Sequence, residues 1–218
     1  DLTHLVKAST EISDFVIFPS RWAKDTIGYE KKNYQIIENG PLPIFYSHKK
    51  TNHTIGDKLK VVTHHWSTNA KKGYDYYEQL GKQIKANKLQ NVEFTFIGRY
   101  NHKYSSAGIN LIESMDEKQL SIELPKHDVY LTASLEEAGA NHVLEAMACG
   151  LPIVYRSGGG SINEYCKGHG IEYDCVDSLI HVIRNINENL NNHSIQQYSL
   201  TILDTVKEYE KIIVDNLT

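Results

Sequence analysis

The strongest constraint in this sequence is an alternation. From Leu59 to Leu190, short runs rich in β-branched and aromatic residues take turns with longer runs of helical periodicity. Strands separated by helices cannot pair as hairpins. Each connection crosses over and returns, so the expected fold is α/β: a parallel sheet with helices on both faces. The expected strands are Leu59–Thr63, Val92–Ile97, Ile109–Ile112, Val129–Thr132, Ile153–Tyr155 and Gly170–Tyr173. Between and after them, helices are expected at Gly73–Asn87, Asp116–Leu124 with Asp116 as cap, Asn141–Cys149, Val176–Leu190 and Ile195–Asn216. Gly150 and Pro152 stop the third of these, Gly standing just past the helix end. In the last one, Ile202, Val206, Tyr209, Ile213 and Leu217 recur at helical spacing and predict one apolar stripe.

Ahead of this series stands a smaller piece. Residues Asp1–Glu11 read as a helix and Asp14–Phe18 as a buried strand ended by Pro19. Ser20 is placed to cap a short helix through Ile27. A strand at Tyr34–Ile37 and an Asn39-Gly40-Pro41 turn follow. The polar stretch Ser47–Asp57 reads as a loop, as does His64-His65-Trp66-Ser67-Thr68-Asn69. With 218 residues the chain is about one and a half ordinary domains of ~150. The leading piece is too small for a core of its own. It leads into one complete βα series from about Leu59 to Leu190.

Charge and cysteine usage narrow the function. Twenty-three Lys and Arg against 27 Asp and Glu leave a net charge of −4, without the basic field that draws nucleic acid. An anionic ligand must be held by local geometry. Three cysteines without a CxxC spacing read as reduced thiols of a cytoplasmic protein. Apolar runs are too short for a membrane span of ~20 residues, and the start of the chain does not resemble a signal peptide.

The stretch that carries chemistry is Ser134–Pro152, SLEEAGANHVLEAMACGLP. Seven residues separate Glu137 from Glu145, and Gly139 lies between them. A loop-to-helix junction is expected there, with Glu137 before the helix and Glu145 on its second turn. The free N–H groups and positive dipole end of that helix attract a phosphate. Small residues at Ala138, Gly139 and Ala140 allow close backbone approach. Two carboxylates beside an anion site suit a ligand with both phosphate and hydroxyls, such as a nucleotide sugar.

The stretch closely resembles the E-x7-E motif of family-4-type retaining glycosyltransferases, whose fold (GT-B) places two Rossmann-like domains across a cleft. Asp14–Trp22 resembles the last strand of their N-terminal domain, and Glu38–Pro41 the linker between the two halves. Lys72-Gly73 resembles their phosphate-binding Lys-Gly, and Gly158–Glu164 (GGGSINE) a later glycine-rich loop. The resemblance implies a C-terminal, Rossmann-like donor half at 38–194, a remnant of the N-terminal acceptor domain at 1–37, and a helix at 195–218 crossing back toward that domain. It implies Glu137 near the hydroxyls of the transferred sugar, Glu145 at the ribose hydroxyls, and Lys72 neutralising the leaving diphosphate. Backbone groups of Gly139, Ala140, Asn141 and His142 would assist. Ser67, His65, Asn69, Arg99, Gly159, Gly160 and Glu164 complete the expected donor site. No bound metal and no cofactor are expected beyond a UDP- or GDP-linked sugar.

The sequence departs from the family in three ways. The usual Arg ahead of Lys-Gly is absent, so Ser67, Asn69 or a histidine must substitute, or phosphate is held less tightly. Gly139-Ala140 replace a common Phe. A relative would have a further ~150 or more residues before Asp1. That leaves two other functions open: a non-catalytic nucleotide-sugar-binding module needing a partner chain, and a sugar-nucleotide epimerase on the same fold. A carbohydrate or lipid-linked acceptor, a place at the inner membrane face, and a missing N-terminal domain or self-association covering an exposed apolar face are what the resemblance implies about partners.

Overall fold

A computed structural model describes residues 2–186 and 198–217. The chain opens with helix α1 (Leu2–Ile12), strand β1 (Val16–Phe18), helix α2 (Arg21–Thr26) and strand β2 (Tyr34–Ile36). β1 and β2 pair in parallel as a sheet of two strands. The expected buried strand is only half-buried at Val16 and Ile17, because a two-stranded sheet leaves much of its surface open. Ser20 caps α2 as expected, its Oγ accepting from the Ala23 N–H at 3.0 Å. α1 docks loosely, with Leu5, Val6 and Ile12 exposed.

The main sheet holds β3 (Leu59–His65), β4 (Val92–Gly98), β5 (Asn110–Ile112), β6 (Val129–Thr132), β7 (Ile153–Arg156) and β8 (Ile171–Tyr173). All five ladders are parallel, in the spatial order β5-β4-β3-β6-β7-β8. Counted within this sheet the order is 3-2-1-4-5-6, the doubly wound arrangement that reverses direction between its first and fourth strands. Between the strands lie α3 (Tyr74–Lys85), α4 (Glu117–Glu123), α5 (Asn141–Ala148) and α6 (Ser161–Cys166), and α7 (Val176–Arg184) follows the last of them. Asp116 begins α4 in a capping box with Gln119. The short α6 begins within the expected glycine-rich loop Gly158–Glu164 and runs two residues past it. The helix expected to run to Leu190 ends at Arg184, with Asn185 as its C-cap, and residues 187–190 lie outside the described residues.

Central strands β3, β4 and β6 are covered on both faces, which is why they read as nearly unbroken apolar runs. One face packs Val61, Phe94, Phe96 and Leu131 against Tyr74, Tyr77 and Leu80 of α3 and Leu179 and Ile183 of α7. The other packs Val62, Ile97 and Tyr130 against Leu120 of α4, Val143, Leu144 and Met147 of α5 and Ile162 of α6. Successive strand residues thus serve opposite layers.

The last helix, α8 (Ile202–Leu217), lies on the connection between the sheets. The Ile202 N–H donates to Pro41 O at 3.0 Å, and Thr205 Oγ1 to Glu38 O at 3.0 Å. These bonds decide which face docks. Thr205 and Ile212 are buried, while Val206, Tyr209 and Ile213 of the expected stripe are exposed, with Leu203 and Val214. The residues 195–197 with which this helix was expected to begin are outside the described set, and Leu200–Thr201 precede it without helical structure. The polar loop after Ser47 straps the core: the Lys50 N–H donates to Cys149 O at 2.8 Å, and its ammonium pairs with Asp128 at 2.8 Å. No described helix is long and apolar enough to cross a membrane.

Candidate functional site

A ligand crevice in a doubly wound sheet lies beyond the C-terminal strand ends at the reversal point, here between β3 and β6. The expected carboxylates and lysine gather there. β3 runs two residues further than expected because its register with β4 continues through His64↔Ile97 and His65↔Gly98. After it, Trp66, Ser67 and Asn69 form an exposed loop. Ser67 Oγ accepts from the Asn69 N–H at 3.2 Å, and Asn69 Oδ1 from the Lys71 N–H at 3.0 Å. The Tyr74 hydroxyl lies 2.7 Å from Ser67 O and 2.8 Å from Arg99 O, tying this loop to the end of β4. The exposed Arg99 side chain stands at the same edge of the sheet.

Gly73 then turns the chain into α3 with φ +79°. A Cβ there would lie 2.3 Å from Ala133 O, so only glycine fits. The turn sets Lys72 against Glu137, and their side chains form an ion pair with 20% and 17% of their surface exposed. Glu137 is carried on a short span held at several points. The Leu135 N–H donates to Lys71 O, the Glu137 N–H to Gly159 O and the Ser161 N–H to Glu137 O, at 2.8, 3.1 and 2.8 Å. Glu136, between them, adopts φ 54°, a left-handed conformation rare outside glycine.

α5 begins directly behind Glu137. The Ala140 N–H donates to Ser161 Oγ at 3.1 Å, and Asn141 Oδ1 accepts from Asn39 Nδ2 at 2.8 Å. The close approach at Gly139 is made by the chain's own Asn39 and Pro19. Gly159 and Gly160 are likewise buried, Gly160 with φ +72° under the Glu137 backbone. On the second turn of α5, Glu145 Oε2 lies 2.8 Å from His64 Nε2.

Two expected donor residues have other partners. Glu164 is turned toward the leading piece, accepting the N–H groups of Arg21 and Trp22 at 3.1 and 2.5 Å and so completing the N-terminus of α2. His65 faces the α3 layer, with Nε2 2.8 Å from the Tyr77 hydroxyl. Strand alternation explains this: odd positions of β3 serve that layer, and His64 serves the α5 layer. His64 stands outside the expected donor residues, and the extension of β3 sets it against Glu145. His142, at the start of α5, shares a hydrogen bond with Thr132 Oγ1 at 3.1 Å.

Burial, then the Lys72 ammonium and His64, hold His65 well below its ordinary value of 6.5. Burial, then His65, Lys72 and His64, do the same to His142. Both therefore stay neutral in the fold. Below pH 6.5 the unfolded chain takes up protons that the folded chain refuses, so stability falls as pH falls. Each histidine contributes up to about 1.4 kcal/mol per pH unit in this window. Thermal unfolding followed from pH 7.5 to 5.5 should show a midpoint that falls as the pH drops below 6.5, with a shallower slope in His142→Gln. A midpoint independent of pH would contradict the assignment.

Solved structures share this architecture. A glycosyltransferase from Rickettsia africae is 12% identical, with a TM-score of 0.74 over 100% of this chain and 67% of its own. HepE from Anabaena, solved with UDP and glucose, is 15% identical, with a TM-score of 0.71 over 97% and 66%. WaaG, a glycosyltransferase involved in lipopolysaccharide biosynthesis, is 17% identical, with a TM-score of 0.62 over 78% of this chain and 52% of its own. The chain thus spans about half the length of WaaG, and its sheet is the Rossmann-like half of a GT-B fold. No curated protein matches it in sequence. Residues 60–189, from β3 to beyond α7, match the family model described as glycosyl transferases group 1, and the chain belongs to that family.

Proposed function

We propose that this chain carries the donor site of a retaining glycosyltransferase that uses a UDP- or GDP-linked sugar without a bound metal. One observation carries the reading. Lys72, Glu137, the start of α5 and Glu145 converge on the crevice where β3 and β6 diverge. Their order matches the parts of a nucleotide sugar: Glu145 takes the ribose hydroxyls, Lys72 takes the diphosphate beside the positive dipole end of α5, and Glu137 takes the hydroxyls of the sugar. The solved HepE complex with UDP and glucose supports this choice of ligand.

The Lys72–Glu137 ion pair keeps both charges satisfied before the ligand arrives. A diphosphate draws the ammonium toward itself and frees the Glu137 carboxylate to accept from sugar hydroxyls. As the glycosidic bond breaks, negative charge grows on the leaving phosphate. Lys72 and the α5 dipole stabilise that charge where it develops. The leaving phosphate itself guides the acceptor hydroxyl to the face it vacates, which gives retention. The acceptor, a carbohydrate or lipid-linked sugar at the inner membrane face, belongs to the same proposal. So does the division into a leading acceptor-domain piece at 1–37, a donor domain at 38–194 and a returning helix, with a further acceptor domain or a second copy covering the exposed apolar face.

Thermal shift with UDP, GDP and ADP sugars, in the presence of a chelator, tests the donor site. One nucleotide sugar should raise the midpoint in a saturable way, by the 2–3 kcal/mol expected at about a hundredfold excess over Kd. Glu145→Ala should abolish that rise. Stabilisation by none of them, or equal stabilisation of the variant, would overturn the reading.

A further inference from the structure

We infer that His64 is a positioning residue that fixes Glu145 for ribose recognition, and that Tyr130 fixes His64 in turn. The inference rests on the donor-site reading above and adds the device that gives Glu145 its geometry. Glu145 stands on a helix whose neighbouring positions are apolar, and a carboxylate on such a face has several rotamers open to it. His64, 3% exposed in its side chain, reaches it across the sheet face with Nε2 2.8 Å from Oε2. The other ring nitrogen, Nδ1, lies 3.1 Å from the hydroxyl of the fully buried Tyr130. Burial keeps that phenol protonated, as a donor.

A carboxylate oxygen accepts, so it is an Nε2–H that Glu145 takes, while the Tyr130 hydroxyl, which also lies 3.3 Å from the His64 backbone N and 3.4 Å from its carbonyl oxygen, holds the Nδ1 edge. The ring is locked from both sides, with its plane held against Tyr130 at a centroid distance of 5.5 Å. Only Oε2 of Glu145 is used, and the side chain keeps 20% of its surface exposed. Oε1 takes part in no hydrogen bond among the described residues, which leaves it as the acceptor for a ligand hydroxyl. An imidazole N–H is a single directional donor, so it fixes one carboxylate oxygen of Glu145 in place. The chemistry recognised is a vicinal diol on a ribonucleotide.

The test compares binding of UDP and GDP with that of their 2′-deoxy counterparts, by titration calorimetry on the full chain. The wild-type chain should prefer the tighter-binding ribonucleotide over its deoxy form by about tenfold, the worth of one hydrogen bond to a charged group. His64→Leu should bring that ratio close to one. His64→Gln, which can present an amide N–H where Nε2–H stood, should restore most of it. Tyr130→Phe, which conserves volume and removes only the hydroxyl, should reduce the ratio about threefold and remains informative if the leucine variant does not fold. Simple destabilisation would weaken both nucleotides alike and leave the ratio unchanged. If Glu145→Gln lowers the ratio while His64→Leu and Tyr130→Phe keep it, the relay is overturned and the donor site stands. If the wild-type chain binds neither nucleotide, the donor site falls and the relay with it.

Discussion

Gly73→Ala is expected to lower the unfolding free energy by about 3–4 kcal/mol. Two costs add. A left-handed φ of +79° costs an alanine roughly 1–2 kcal/mol. The new methyl carbon would also lie 2.3 Å from Ala133 O and 2.4 Å from Ala133 Cβ, in a close-packed region with no flexible side chain to yield. Overpacking of this kind costs a further 1–3 kcal/mol. For a chain of this size the midpoint should fall by roughly 2–4 °C per kcal/mol, so about 10 °C in all. Gly28→Ala is the control. Its φ is +67°, but nothing lies within 4 Å of the added carbon, so only the conformational cost of about 1–2 kcal/mol applies. Calorimetric unfolding of both variants separates the two contributions. Equal losses would show that the contact with Ala133 yields.

The second large effect concerns binding. Lys72→Met keeps the aliphatic stem and deletes the charge. Nucleoside diphosphate affinity should fall about 30- to 100-fold, the value of a charge-assisted hydrogen bond of roughly 2–3 kcal/mol. Glu137, left without its partner beside the diphosphate site, would add repulsion. Lys72→Met combined with Glu137→Gln should therefore bind better than Lys72→Met alone, a coupling that a double-mutant cycle reads directly. The neighbouring lysine gives the contrast. Lys71 pairs with Glu136 at the surface, with 59% and 55% of the two side chains exposed. Exposed pairs of this kind are worth little, so Lys71→Met should change neither stability nor affinity by more than about 0.5 kcal/mol. Comparable losses for the two lysines would mean that bulk charge, and not the seat of Lys72, holds the ligand.

Much of this architecture was legible because its signals are local. The main-sheet strands announce themselves through short runs rich in β-branched and aromatic residues, and Asp116 and Ser20 through capping chemistry. What local reading missed depends on partners distant in sequence. β3 extends to His65 because β4 runs alongside it, which no propensity at His64 or His65 encodes. α8 docks through Thr205 and Ile212 because Glu38 and Pro41 offer carbonyls there. An apolar stripe alone does not say which face finds a partner. Glu164 shows the same limit at the site. Its place after three glycines suggested a ligand, whereas its oxygens accept the N–H groups of a helix more than a hundred residues away. Glu137 and Glu145 were legible as a pair through their spacing and the glycine between them. The link from Glu145 to His64 needed the fold, since 81 residues separate the two.

The central claim is that a nucleotide lies across the start of α5 at the reversal point of the sheet. A crystal structure of the chain with UDP or GDP tests it most directly. The account predicts the diphosphate within hydrogen-bond reach of Lys72 and against the N-terminal end of α5, with the ribose hydroxyls on Glu145. A nucleotide seated elsewhere, such as the opposite end of the sheet beside Leu89 and Ile183, with Lys72 still paired to Glu137, would contradict it.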